Sequence, residues 1–95
     1  MKQKKFRIRV VGENDNRLLS RILIILNRKN LKILYIHGDM NIKNNLKNEH
    51  QYIIDLECFK EQLIQIKKLI EKLIGIICIS YHHQPLLMKE PIKNI

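Results

Sequence analysis

Ser20, Ser80, Cys58, Cys78, His37, His50, His82 and His83 are the side chains able to attack a carbonyl, ligate a metal or move a proton. Their spacing argues against all three. Neither serine sits in a nucleophile motif, and no histidine has a carboxylate that the sequence places beside it. Cys58 and Cys78 lie in apolar surroundings without Cys-x-x-Cys spacing, as core thiols of a reducing compartment do. His82 and His83 are adjacent, so on a strand they point to opposite faces and a shared metal is not expected. Gly12, Gly38 and Gly75 are isolated, and no glycine-rich phosphate loop is present. What remains is the polar turn Gly12-Glu13-Asn14-Asp15-Asn16. Strand-like alternation precedes it and a helical pattern follows. Backbone amides at such a turn point outward and can hold a small anionic or polar ligand. The chemistry on offer is binding, and the chain reads as a binding or regulatory module.

Ninety-five residues make one small domain with a single core. Hydrophobic residues reach 45%, Ile, Lys and Asn are heavily used, and Ala, Thr and Trp are absent. That bias is the one an AT-rich genome imposes. It bears on the net charge of +9, which by itself would suit nucleic acid or an anionic surface. The lysines are scattered, and only Phe6, Tyr35, Tyr52, Phe59 and Tyr81 are available to stack on bases. Solvated lysines drifting onto exposed faces account for the charge, and nucleic acid is not the expected partner. The basic N-terminus leads into no apolar signal segment, and no run approaches the ~20 apolar residues of a membrane helix. No membrane is expected, and the location is cytoplasmic.

The elements that position the turn follow from periodicity. Phe6, Ile8 and Val10 alternate with Arg7 and Arg9, which makes residues 5–11 a half-buried strand. Asp15 or Asn16 is placed to cap a first helix over 16–29, and Asn30 suits a left-handed position at its end. Residues 31–38 alternate as a second strand. The Asn-rich residues 39–48 read as a long hairpin loop, and residues 49–57 as a third strand. Phe59, Leu63, Ile66, Ile70 and Leu73 form the apolar stripe of a second helix over 59–73, ended by Gly75. Residues 76–82 make a fourth strand. The fold class is therefore α+β, a ferredoxin-like βαββαβ sandwich. An antiparallel sheet in the order 4-1-3-2 carries both helices on one face. The domain spans 5–83, with a flexible tail at 1–4 and a C-terminal tail at 84–95 that docks on a partner. On the helix-free face Arg7 and Arg9 come beside Asp55 and Glu57, in pairs worth about 0.5 kcal/mol each.

Between the first strand and first helix the chain reads Glu13-Asn14-x-x-x-Leu18-Leu19-Ser20-Arg21. The helix leaves through Lys29-Asn30-Leu31-Lys32-Ile33. The second helix carries Gln65-Ile66-x-Lys68-Leu69-Ile70-Glu71-Lys72-Leu73-Ile74 before Gly75. A βαββαβ chain with these runs resembles the ACT domain. Over residues 5–82 it is similar to the small regulatory subunit of acetolactate synthase in its short, single-domain form. In that family the turn reads Glu-Asn-x-x-Gly, then a small or apolar residue, Leu, a small residue and Arg. Its first helix ends in Arg-Gly-aromatic-Asn-Ile, and its second contains Gln-Ile-x-Lys-Gln-Leu-x-Lys-Leu.

The resemblance implies a partner and an effector. The family's small subunit binds the large catalytic subunit and raises its activity in branched-chain amino-acid (valine, isoleucine, leucine) biosynthesis. Many members also bind valine, or a related amino acid, between two ACT domains and inhibit. A homodimer is thus implied, and the apolar surplus of Leu34 and Ile36 agrees with it. No cofactor is expected in this chain; thiamine diphosphate, magnesium and FAD belong to the implied partner. Effector contacts are implied at Asn14, Leu18, Leu19 and Ile33. Three family positions differ: Arg17 and Asn30 stand where the family has Gly, and Lys32 where it has Asn. These departures count against feedback inhibition by valine. Two other readings compete: a basic ferredoxin-like module that binds RNA, and an ACT amino-acid sensor for another enzyme. Asp55 and Glu57 on the outward face of the third strand argue against the first.

Overall fold

The structure, a computed structural model, describes residues 2–13, 15, 17–44 and 47–83, with the side chains of 40–44, 47 and 48 excepted. The expected tail at 84–95, Asn14 and Asn16 lie outside the described residues.

The elements are β1 (Lys4–Glu13), α1 (Leu18–Arg28), β2 (Lys32–Asn44), β3 (Lys47–Cys58), α2 (Lys60–Glu71) and β4 (Ile76–His83). They form one sheet in the order β2-β3-β1-β4, antiparallel throughout, which is the expected order. The central β1/β3 ladder aligns Phe6 with Leu56, Ile8 with Ile54 and Val10 with Tyr52. On the other side of β1, Ile8 meets Tyr81 and Val10 meets Ile79. Period-2 alternation thus sends one apolar row from each strand to the same side. Leu18, Ile22 and Leu26 of α1 and Leu63, Ile66 and Ile70 of α2 close over that row, all fully buried. Each set repeats at helical spacing, as one face of a helix requires. Phe59 and Leu73, at the two ends of the expected stripe, are half-buried.

Several boundaries differ from the sequence reading: α1 begins at Leu18 rather than 16, α2 ends at Glu71 rather than 73, and the strands run longer than expected. Residues 39–48, read as a loop, are mostly strand, with β2 running to Asn44 and β3 starting at Lys47. Ladder bonds between the two antiparallel arms satisfy the backbone whatever the side chains prefer, so pairing overrides the low strand propensity of Asn. Lys4, read as tail, pairs with Cys58 and opens β1.

The helix ends follow local chemistry. Asn30 takes φ 56° at the end of α1. Asn30 N–H donates to the Asn27 carbonyl (3.0 Å) and Leu31 N–H to the Leu26 carbonyl (3.3 Å). This is the paired closure of a left-handed helix stop. At the start of α2 the Gln62 Oε1 accepts from the Phe59 N–H (2.9 Å), as the glutamine of a capping box does.

Candidate functional site

The turn between β1 and α1 is built from both sides. The Glu13 N–H donates to the Gly75 carbonyl (2.7 Å), which ties the end of β1 to the turn before β4. Gly12 lies so close to this crossing that a Cβ there would stand 2.2 Å from Leu18 Cδ2 and 3.1 Å from the Gly75 oxygen. A side chain at residue 12 would force Leu18 and the first turn of α1 to shift from their seat on β1.

Asp15 closes the turn. Its Oδ1 accepts from the Arg17 N–H (2.9 Å), and its carbonyl accepts from the Leu18 N–H (3.0 Å). The carboxylate also lies 3.6 Å from Arg21 Nη1 and 3.9 Å from Arg17 Nε. The Arg17 amide is the largest cause holding the Asp15 carboxyl below its ordinary range. Desolvation opposes it, and the charges of Arg21, Arg17 and His50 add to it. Arg17 itself stands at the cap position and makes no side-chain capping bond. The expected cap role of Asp15 is therefore not taken up: Asp15 lies two residues before the cap position and bonds the amide of the cap residue itself, not one inside the helix. Ser20 Oγ donates to the Arg17 carbonyl (2.9 Å), so this hydroxyl is spent on the helix backbone.

Beneath the turn lies a pair that sequence reasoning left without a role. His50, only 2% exposed, sits directly across the ladder from Gly12. Its Nδ1 lies 3.0 Å from the Tyr52 hydroxyl, and the two rings meet edge to face. Burial first, and the Asp15 charge second, raise the Tyr52 phenol above its usual value. The available signal was parity: His50 and Tyr52 are two apart on one strand and therefore share its face. The expected strand 49–57 already contains His50 as its second residue, and β3 in fact begins two residues earlier, at Lys47.

The remaining expected effector residues are divided. Leu18 is fully buried in the core and Leu19 is half-buried at the start of α1. Asn30, Lys32 and Ile33 lie at the far end of α1 and the start of β2. Lys32 stands across from Glu57, whereas the turn meets β3 at Glu49. Eight residues along β3 separate those levels, roughly 26 Å at strand rise. Within one chain, then, Arg17 and Lys32 do not share a cleft.

On the helix-free face Arg7 donates two bonds to Asp55, Nε to Oδ1 at 2.8 Å and Nη2 to Oδ2 at 2.9 Å, as expected. Arg9 instead donates to Gln51 Oε1 (2.7 and 3.0 Å), and Glu57 pairs with Lys32 (3.7 Å). The register explains the exchange, since Arg9 stands opposite Ile53 and so reaches along the strand to Gln51. Cys58 is buried, and burial pushes its thiol up to about 11, whereas Cys78 is exposed. Among the described residues no cluster of His, Cys, Asp or Glu could hold a metal. No helix among them is long and apolar enough to cross a membrane.

No protein-family model and no curated protein matches the chain. Solved structures do. The chain is similar to the ACT domain of GTP pyrophosphokinase from Chlorobium tepidum, at 17% identity and a TM-score of 0.70 over 84% of this chain and 99% of that one. It is similar to 30S ribosomal protein S6 from Thermotoga maritima, at 16% identity and a TM-score of 0.72 over 87% and 89%. It also matches a homoserine dehydrogenase from Thiobacillus denitrificans, at 12% identity and a TM-score of 0.70, over 85% of this chain but 17% of that one. At these identities the likeness is one of fold. The chain has the ferredoxin-like architecture that ACT domains share.

Proposed function

We propose that this chain is a non-catalytic regulatory subunit that binds and activates the catalytic subunit of acetolactate synthase in the cytoplasm. The observation that carries the reading is the β1–α1 turn. Glu13, Leu19, Ser20 and Arg21 occupy the family's positions on an ACT-like fold, and the turn is closed by Gly12 and Asp15. Thiamine diphosphate, magnesium and FAD belong in this reading to the catalytic partner. The deciding experiment mixes the purified chain with an acetolactate synthase catalytic subunit at saturating thiamine diphosphate. The chain alone is expected to be inactive and to raise the rate of its partner; an unchanged rate would remove the reading.

The reading includes a homodimer. β2 is an edge strand, and its residues Leu34, Tyr35 and Ile36 are 39%, 49% and 38% exposed. An unpaired edge with three successive large apolar residues is a template for another strand. Pairing of two copies is also the arrangement that would bring the turn of one chain near the start of β2 of the other. Light scattering at tens of micromolar is expected to give twice the chain mass, and a monomer there would contradict the dimer.

A further inference from the structure

The two faces of the domain treat their charges differently. On the open sheet face Arg7 is held by Asp55, Lys32 by Glu57 and Arg9 by Gln51. On the helix layer Arg17 and Arg21 share Asp15, and Lys67 bonds Glu71 (2.6 Å). Arg28, Lys29, Lys60, Lys68 and Lys72 are exposed and have no ion pair among the described residues. Lys2, just before β1, and Lys4 and Lys5, at its start, are likewise without an ion pair among the described residues, so the outer side of the helices carries the larger share of the unpaired cations rather than all of them.

Those cations frame exposed aliphatic residues. Lys60, Ile64, Lys68 and Lys72 follow one another at four-residue steps, so they form one ridge along α2. Ser20, Ile24 and Arg28 form the corresponding ridge of α1. Ile24 is 50% exposed and Ile64 38%, and Ile74, just past α2, is 84% exposed. Lys68 and Lys72, one turn apart, repel each other and weaken the helix that carries them. Anionic groups laid across the ridge would remove that repulsion and cover the aliphatic residues together.

We infer that the outer face of α1 and α2 is a docking surface for an acidic protein segment carrying apolar residues of its own. The chemistry selects this partner. Neither helix contains an aromatic residue, so there is no platform for stacking bases. Each ridge has one apolar residue within a turn of a cation, and no broad apolar sector that could enter a bilayer. Isolated aliphatic residues in a polar, mostly cationic surround, with Glu61 the one acidic neighbour of Ile64 on α2, match a small apolar centre with a polar rim. The inference stands whether or not the partner is acetolactate synthase.

The test is a titration of the ¹⁵N-labelled full chain followed by amide shifts. The probe is a synthetic helical peptide with glutamates around a leucine stripe. Phosphatidylglycerol vesicles and an oligouridylate serve as the competing probes. The peptide is expected to move Ile24, Arg28, Ile64, Lys68 and Lys72 and to leave Arg9, Tyr35 and Ser80 in place. Lys68→Glu with Lys72→Glu should weaken it roughly tenfold or more, and Ile64→Ser should weaken it with no change of charge. Both variants are exposed changes, and their folding is checked by the same spectra. Shifts confined to the sheet face, unaltered binding by the variants, or tighter binding of vesicles or oligouridylate on the helix residues would each overturn the inference.

Discussion

Titration of the protein with valine is expected to show no binding in the micromolar range. An amino-acid effector needs its carboxylate on free backbone amides and its ammonium on an acceptor. In this chain the amide of Arg17 already donates to Asp15, and both nearby arginines lie against the same carboxylate. A charge-assisted hydrogen bond contributes roughly 1.5–3 kcal/mol, and the chain's own anion holds it already. The Arg17 side chain, 77% exposed, stands where the related turn has none. Lys32 supplies donors only and adds positive charge where an ammonium would need an acceptor. Micromolar affinity requires about −8.2 kcal/mol, and a site that has lost an amide and an acceptor does not reach it. The double change Arg17→Gly with Lys32→Asn is expected to tighten valine by at least roughly tenfold, which corresponds to about 1.4 kcal/mol. Because these residues lie at opposite ends of one sandwich, the gain must appear only in the dimer. A wild-type micromolar constant would show that Asp15 does not block the turn. No gain in the variant would move the site elsewhere.

Ile54→Ala is expected to have the largest effect on stability, about 2–5 kcal/mol. Ile54 is fully buried at the middle of the sheet, aligned with Ile8 on one side and Ile36 on the other. Truncation removes apolar contact and leaves a cavity that neighbouring strands, held by their ladders, cannot close. A small domain has on the order of 5–15 kcal/mol in total, so the loss is a large share of it. Urea unfolding at one fixed protein concentration measures it as a lower midpoint. Ile64→Ala on the outer side of α2 is the control and should change stability by no more than about 0.5 kcal/mol. Equal midpoints for the two variants would mean that the β3 row does not form the core.

Much of this architecture is written in local periodicity. Alternation along residues 5–11 names the row Phe6, Ile8 and Val10, and all three are buried. Spacing of three and four places Leu63, Ile66 and Ile70 on one side of α2. Asn30 is recognisable as a left-handed stop because the amide side chain tolerates that conformation.

The partners of the polar groups were decided by tertiary pairing. Composition made residues 39–48 a loop, but a strand laid beside them supplies the backbone bonds that composition cannot encode. Arg9 takes Gln51, because the register of β1 on β3 sets Ile53 opposite it. His50 is buried, opposite Gly12 across the ladder, a pairing of residues far apart in sequence that only the register of β1 on β3 sets. Asp15 reads from the sequence as a helix cap but instead accepts from the amide of the cap residue Arg17, and that it draws Arg17 and Arg21 onto one carboxylate depends on how α1 leaves β1. Arg17 and Lys32 look close in sequence, fifteen positions apart, but α1 spans that interval and carries them to opposite ends of the sheet. Periodicity reports which side of an element is apolar. Distances between polar groups on different elements depend on register and crossing, and these exist only once the chain has closed on itself.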